Sequence, residues 1–122
     1  MEGQSAQDIN SHLEQANQLR NDTWRLWRYS EESRIVVLCG YKDPFRVTGF
    51  LVFRETIFVD LYQWLIASSF KLGDPSSIPA GILQEENPSE QYRVVTINTE
   101  GGGYCIVCKA VSFIAIPEGV TI

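Results

Sequence analysis

Three cysteines, one histidine and a scatter of carboxylates are the groups in this chain whose types could do covalent or proton-transfer chemistry. Cys105 and Cys108 have the C-x-x-C spacing of a zinc or redox pair, which requires both sulfurs to converge. They sit in an apolar run of β character, and in a strand residues three apart point to opposite faces. No second Cys pair exists, and His12 lies far away on a predicted helix. Both sulfurs therefore read as structural, and neither a metal nor any other cofactor is expected. Cys39 could act as a nucleophile served by His12. It also continues the apolar alternation Ile35, Val37, Cys39, Tyr41, which reads as a thiol packed in the core or on a sheet face. His12 reads as an exposed helix residue. Asp60 and Glu55 could divide acid and base roles if their environments separated their pKa values. Strand alternation, however, groups Asp60 with Phe58 and Tyr62 on one outward or rim face. The run Gly101, Gly102, Gly103 leads into an apolar strand rather than a helix, so it reads as a hairpin turn and not as a phosphate cradle.

Recognition chemistry is better represented than catalysis. The run Trp24, Arg25, Leu26, Trp27, Arg28, Tyr29 joins the three residue types that dominate protein interfaces, each offering large contact area or a rigid fork of donors. As a regular strand it would place Arg25, Trp27 and Tyr29 on one face and Trp24, Leu26 and Arg28 on the other, so at least one tryptophan belongs to the core. A second candidate is the stretch 73–91, rich in proline and serine, which holds Asp74, Glu85, Glu86 and Glu90 with no Lys or Arg. It reads as a long acidic loop suited to a basic partner. It lacks the ligand spacing of a calcium loop. The partner-binding candidates are thus Trp24, Arg25, Trp27, Arg28 and Tyr29, with Glu85, Glu86 and Glu90.

These residues need elements to position them. Ile9, Leu13, Ala16 and Leu19 recur at helical spacing, and Ser5 with Asp8, or Ser11 with Glu14, has capping-box form, so a helix is predicted over about 6–20. The stripe could run on through Trp24 and Trp27 to Tyr29. Asn21, Asp22 and Thr23 favour a break, being poor in helix interiors and good in caps and turns. Strands are expected at 24–29, 34–41, 45–53 and 56–62, joined by turns too short for parallel crossovers, which makes a β-meander over about 24–72. Residues 61–72 fit either a helix or a short strand. After the loop comes a hairpin over 92–116, its arms 92–98 and 104–116 flanking the glycines. The expected fold is mainly β: an antiparallel β-sandwich or partly open β-barrel of six to seven strands with one N-terminal α-helix, forming a single domain over 1–122.

A chain of 122 residues can bury one core without disulfides, and an odd cysteine count fits reduced thiols. No apolar stretch approaches the roughly 18 residues of a membrane span. Residues 1–7 lack the basic start and apolar block of a secretory signal, so the expected location is cytoplasmic. A net charge of −5 repels a phosphate backbone and argues against general nucleic-acid binding. The function expected is a non-enzymatic protein–protein interaction module of adaptor, inhibitor or immunity-like kind. The alternative is a small-ligand-binding barrel lined by Phe50, Phe53, Phe58 and Trp64. A hydrolase or thiol enzyme would require His12, Cys39 and the Asp60 region to converge. Exposed strand edges leave a homodimer open.

Overall fold

The computed structural model describes residues 4–20, 23–43, 46–66, 68–74 and 92–117. One helix, α1 (Ala6–Gln18), precedes nine strands: β1 (Thr23–Ser30), β2 (Ile35–Asp43), β3 (Arg46–Arg54), β4 (Phe58–Asp60), β5 (Trp64–Ile66), β6 (Ser69–Leu72), β7 (Arg93–Thr99), β8 (Gly102–Cys108) and β9 (Ala110–Ala115). They form two antiparallel sheets, a five-stranded one in the order β5-β1-β2-β3-β9 and a four-stranded one in the order β4-β8-β7-β6. The expected β-sandwich with one N-terminal helix is what the chain forms, and among the described residues neither sheet closes into a barrel.

Nine strands arise from six extended segments because three of these segments change sheet. β3 runs into β4, β5 into β6, and β8 into β9, each turning a corner between the sheets. At the first corner Lys109 N–H donates to the Arg54 carbonyl at 3.1 Å and Ile57 N–H donates to the Val107 carbonyl at 2.9 Å, so the paired segments bend together. At the second, Glu100 N–H donates to the Ile66 carbonyl at 3.3 Å. Two expectations are corrected here. The meander holds only from β1 to β3, after which β4 pairs with β8 in the other sheet. The arm expected to run unbroken from 104 to 116 is interrupted at Lys109, and its second half pairs with β3. Residues 61–72 resolve as β5 and β6, which also excludes a helix there.

The helix starts where its cap predicts, with Asp8 N–H donating to Ser5 Oγ at 3.1 Å. It ends two residues before the expected Arg20, with Leu19 as C-cap and Arg20 at φ 50, and β1 begins at Thr23, so the longer helix does not form. Its stripe Ile9, Leu13 and Ala16 enters the single large core with Trp24, Leu38, Phe53, Leu65, Ile97 and Ile106. Three polar side chains then tie α1 to two sheet edges. The amide of Gln4 donates to the Val111 carbonyl at 2.8 Å and accepts from Val111 N–H at 2.6 Å. His12 Nδ1 accepts from Phe113 N–H at 3.0 Å. Asn17 accepts from Phe70 N–H at 2.9 Å and donates to its carbonyl at 2.8 Å. The edges of β9 and β6 are thereby satisfied by side chains instead of by a further strand. His12 is accordingly a partly buried clamp, not the free helix residue its sequence position suggests.

Candidate partner-binding face

The outer face of the five-stranded sheet is the candidate site, and it is built from alternate residues of β1, β2, β3, β5 and β9. Inward positions are set by burial: Trp24 on β1, Val36 and Leu38 on β2, Leu51 and Phe53 on β3, Leu65 on β5 and Val111 on β9 belong to the core. The pleat then turns Arg25, Cys39, Phe50, Trp64 and Ile114 outward, and these are register partners of one another, Trp64 against Arg25, Arg25 against Cys39, Cys39 against Phe50 and Phe50 against Ile114.

A bulge in β1 alters the arrangement that a regular strand predicts. The register with β2 shifts between Leu26 and Arg28, leaving Trp27 as the extra residue. Its ring stacks on Phe50, two strands away, with centroids 4.6 Å apart and planes at 22°. Arg28, expected on the face of Trp24 and Leu26, is instead opposite the half-buried Val37, and its guanidinium lies 5.8 Å from the Trp27 ring. Tyr29, more than half exposed, pairs with Val36 at the strand's end. Trp24 is 1% exposed and packs edge-on against Phe70 at 5.1 Å, so it holds the core and is closed to a partner. Trp27 is 43% exposed and Trp64 is 47% exposed.

Arg25 and Tyr41 complete the face. The Arg25 guanidinium lies 5.3 Å from the Trp64 ring centroid, and the Tyr41 ring lies 6.5 Å from the same ring. Beneath them Cys39 is 2% exposed although it points away from the core. Burial pushes its thiol up from the ordinary range, an effect only partly offset by the hydrogen bond to Tyr41 and the charge of Arg25. Burial and the bond to Cys39 likewise raise the Tyr41 hydroxyl. At neutral pH Cys39 is a covered neutral thiol, the wrong state for a nucleophile.

The strands of this sheet carry five of the ten Lys and Arg but only one of the fifteen Asp and Glu, namely Asp43. A basic, aromatic face on an acidic chain is the electrostatic result. Tyr41, Ile66 and Ile114 were not among the sequence-derived site residues, and Phe50 and Trp64 were expected only as the lining of a ligand pocket, although all five stand in runs that are apolar at both parities. That doubling of the period is the signal that could have found them. Glu85, Glu86 and Glu90 lie outside the described residues.

The catalytic candidates are not brought together. His12 is engaged with β9, Cys39 is covered on the outer face of the five-stranded sheet, and Asp60 on β4 pairs with Cys105 in the second sheet. Cys105 and Cys108 do diverge as strand geometry predicts: Cys108 is in the main core, whereas Cys105 packs with Tyr92, Val94 and Val107 on the opposite side. Burial pushes the Cys108 thiol up to about 12. Among the described residues no three His, Cys, Asp or Glu side chains cluster as a metal site. No helix of the described residues is long and apolar enough to cross a membrane. Of the four aromatics expected to line a ligand pocket, only Phe53 is in the core. Phe50 and Trp64 face outward, and Phe58 packs on the far side of the second sheet. Comparison with protein-family models, curated proteins and solved structures returns no match.

Proposed function

We propose that this chain is a non-enzymatic protein–protein interaction module, of adaptor, inhibitor or immunity-like kind, working in the cytoplasm, and that its binding surface is the outer face of the five-stranded sheet. The observation that carries this reading is the stacked pair Trp27 and Phe50 standing beside the Arg25 and Trp64 contact on an exposed sheet face. Large apolar side chains left in water cost roughly 25 cal/mol per Å² relative to burial, and grouped on one face they supply the desolvated centre of an interface. Arginines at the same place add orientation and exclude wrong partners. General nucleic-acid binding is disfavoured by the net charge of −5. A homodimer through a strand edge remains a subsidiary part of the proposal, restricted to β4 and β5, because α1 engages the edges of β6 and β9.

The test is native mass spectrometry of the protein purified gently from its own host, in wild-type form and as Trp27→Ala combined with Arg28→Ala. A stoichiometric protein partner retained by the wild type and lost by the folded double variant is the expected result. Capture unaffected by the double substitution would remove this face from consideration. A bound small molecule without a protein partner would replace the reading with the ligand-binding one.

A further inference from the structure

We infer that Arg25 is the orienting centre of this face and that it receives a carboxylate presented between apolar side chains on an acidic protein partner. The inference rests on the reading of this sheet face as a partner surface. Arg25 stands on β1, one strand in from the β5 edge of the face, across the register from Cys39 on one side and Trp64 on the other. Its guanidinium lies over the Trp64 ring and is hydrogen-bonded to the Tyr41 side chain, so the charge is held in place and is partly withdrawn from water. Its Nε–H is buried and donates to no atom among the described residues. No Asp or Glu among them pairs with it, and the only acidic residue in the strands of this sheet is Asp43 at the end of β2. A half-buried guanidinium without a counter-charge among the described residues carries a desolvation cost that a carboxylate relieves best, because the planar fork matches two carboxylate oxygens.

Three other occupants fit less well. A second copy of this chain, set face to face, would bring arginines to arginines and no carboxylate to Arg25, since a two-fold interface joins a patch to itself. A nucleic acid would meet the phosphate repulsion of the whole chain and would leave the aliphatic Ile66 and Ile114 without a counterpart. A small acid alone would cover too little of a face that spans from Trp64 to Ile114. An acidic protein surface with interspersed apolar side chains matches both the charge and the aromatic area.

The probes are a capped peptide interleaving Phe and Leu with Glu, the same peptide with Gln for Glu, phenylacetate, and an oligothymidylate. Binding to the full chain is followed by the NMR signals of the Arg25 Nε–H and the indole N–H groups of Trp27 and Trp64. The Glu peptide is expected to bind about tenfold more tightly than its Gln counterpart, the scale of one hydrogen bond to a charged group. It is also expected to outbind phenylacetate. In Arg25→Gln the preference for Glu over Gln falls to near one while the Trp27 signal still responds. Arg25→Lys, which keeps the charge but loses the fork, retains only part of the preference and guards against misfolding of the first variant. Equal binding of the two peptides with both tryptophans responding would overturn the carboxylate assignment and leave the partner face standing. Silence of Trp27 and Trp64 toward every probe would overturn both. Tighter binding of phenylacetate than of the peptide would make the site one for a small acid, and preference for oligothymidylate would make it a nucleic-acid platform.

Discussion

The two sheets of this sandwich differ most in what they do with their outer faces. On the four-stranded sheet, Val94 and Val107 are fully buried although they point away from the main core, and Tyr92, Ile57, Phe58 and Cys105 pack around them as a second small cluster. On the five-stranded sheet the corresponding positions hold larger groups, and Trp27, Trp64, Ile66 and Ile114 each expose roughly half of their surface. Apolar content on an outer face therefore has two meanings in one molecule. Where it is covered, it adds to the stability of the fold; where it is open, its burial remains available to an association. Charge sharpens the distinction, because the strands of the five-stranded sheet carry five of the ten Lys and Arg and Asp43 as their single acidic residue.

The largest expected effect tests the covered side. Val107→Asp should cost about 3–5 kcal/mol in urea unfolding, because it buries a carboxylate between its apolar register partners Val94 and Phe58. A cost below about 1 kcal/mol, the range of ordinary surface changes, would mean that this face is as open as the other and would erase the contrast.

The cysteines sample the inside and both outer faces, which makes alkaline unfolding the next measurement. Cys108 is raised from 9.0 to about 12 by burial, and Cys39 and Cys105 are raised in the same direction. The unfolded chain releases these protons first, so the contribution to stability is complete below pH 9.0 and is lost as pH rises toward the folded value. Between those limits Cys108 alone should give a slope of about 1.4 kcal/mol per pH unit. Cys108→Ala should flatten the alkaline limb of the stability curve; an unchanged limb would show that the inner thiol is no better shielded than the outer ones.

The smallest effect belongs to the open face. Trp27→Ala and Trp64→Ala should each change stability by about 1 kcal/mol or less, the scale of one exposed ring contact. A loss of several kcal/mol for either would make the aromatic face a structural cluster like that of the second sheet, and the binding role would lose its basis.

Much of the architecture was legible in residue order. The capping serine and the Ile9, Leu13, Ala16 stripe located α1, and short polar turns located the antiparallel β1, β2 and β3. What stayed open was parity. The alternation Ile35, Val37, Cys39, Tyr41 fits a thiol in the core or on a sheet face, and Val36 and Leu38 fill the core while the odd-numbered set lies on the outer face. β2 is apolar at both parities, so periodicity alone could not say which half was buried. The bulge at Trp27 was equally hidden, because nothing in the local run distinguishes an extra residue from a regular one, and it reversed the expected side of Arg28.

The candidate face was legible as a composition and not as a place. Trp27 and Arg28 were visible as hot-spot types, but their neighbours Phe50, Trp64 and Ile114 come from three other strands. Gly49 has a part in that assembly that the sequence does not advertise: an added Cβ would lie 2.9 Å from both the Phe113 ring and the Ile114 carbonyl, so glycine permits β9 to close against β3.

By itself the sequence determined the class of structure, the helix and its buried stripe, the antiparallel pairing of the first strands and the divergence of Cys105 from Cys108. Each of these depends on local stereochemistry, on periods of 3.6 and 2.0 and on turns a few residues long. Tertiary structure alone decided where β3, β5 and β8 turn into the second sheet, which face of β2 meets the core, and that Arg25 meets Trp64 and Tyr41. Those outcomes depend on strands distant in the chain competing for one interior, and the core is filled by whichever parity packs Trp24, Phe53 and the helix stripe together.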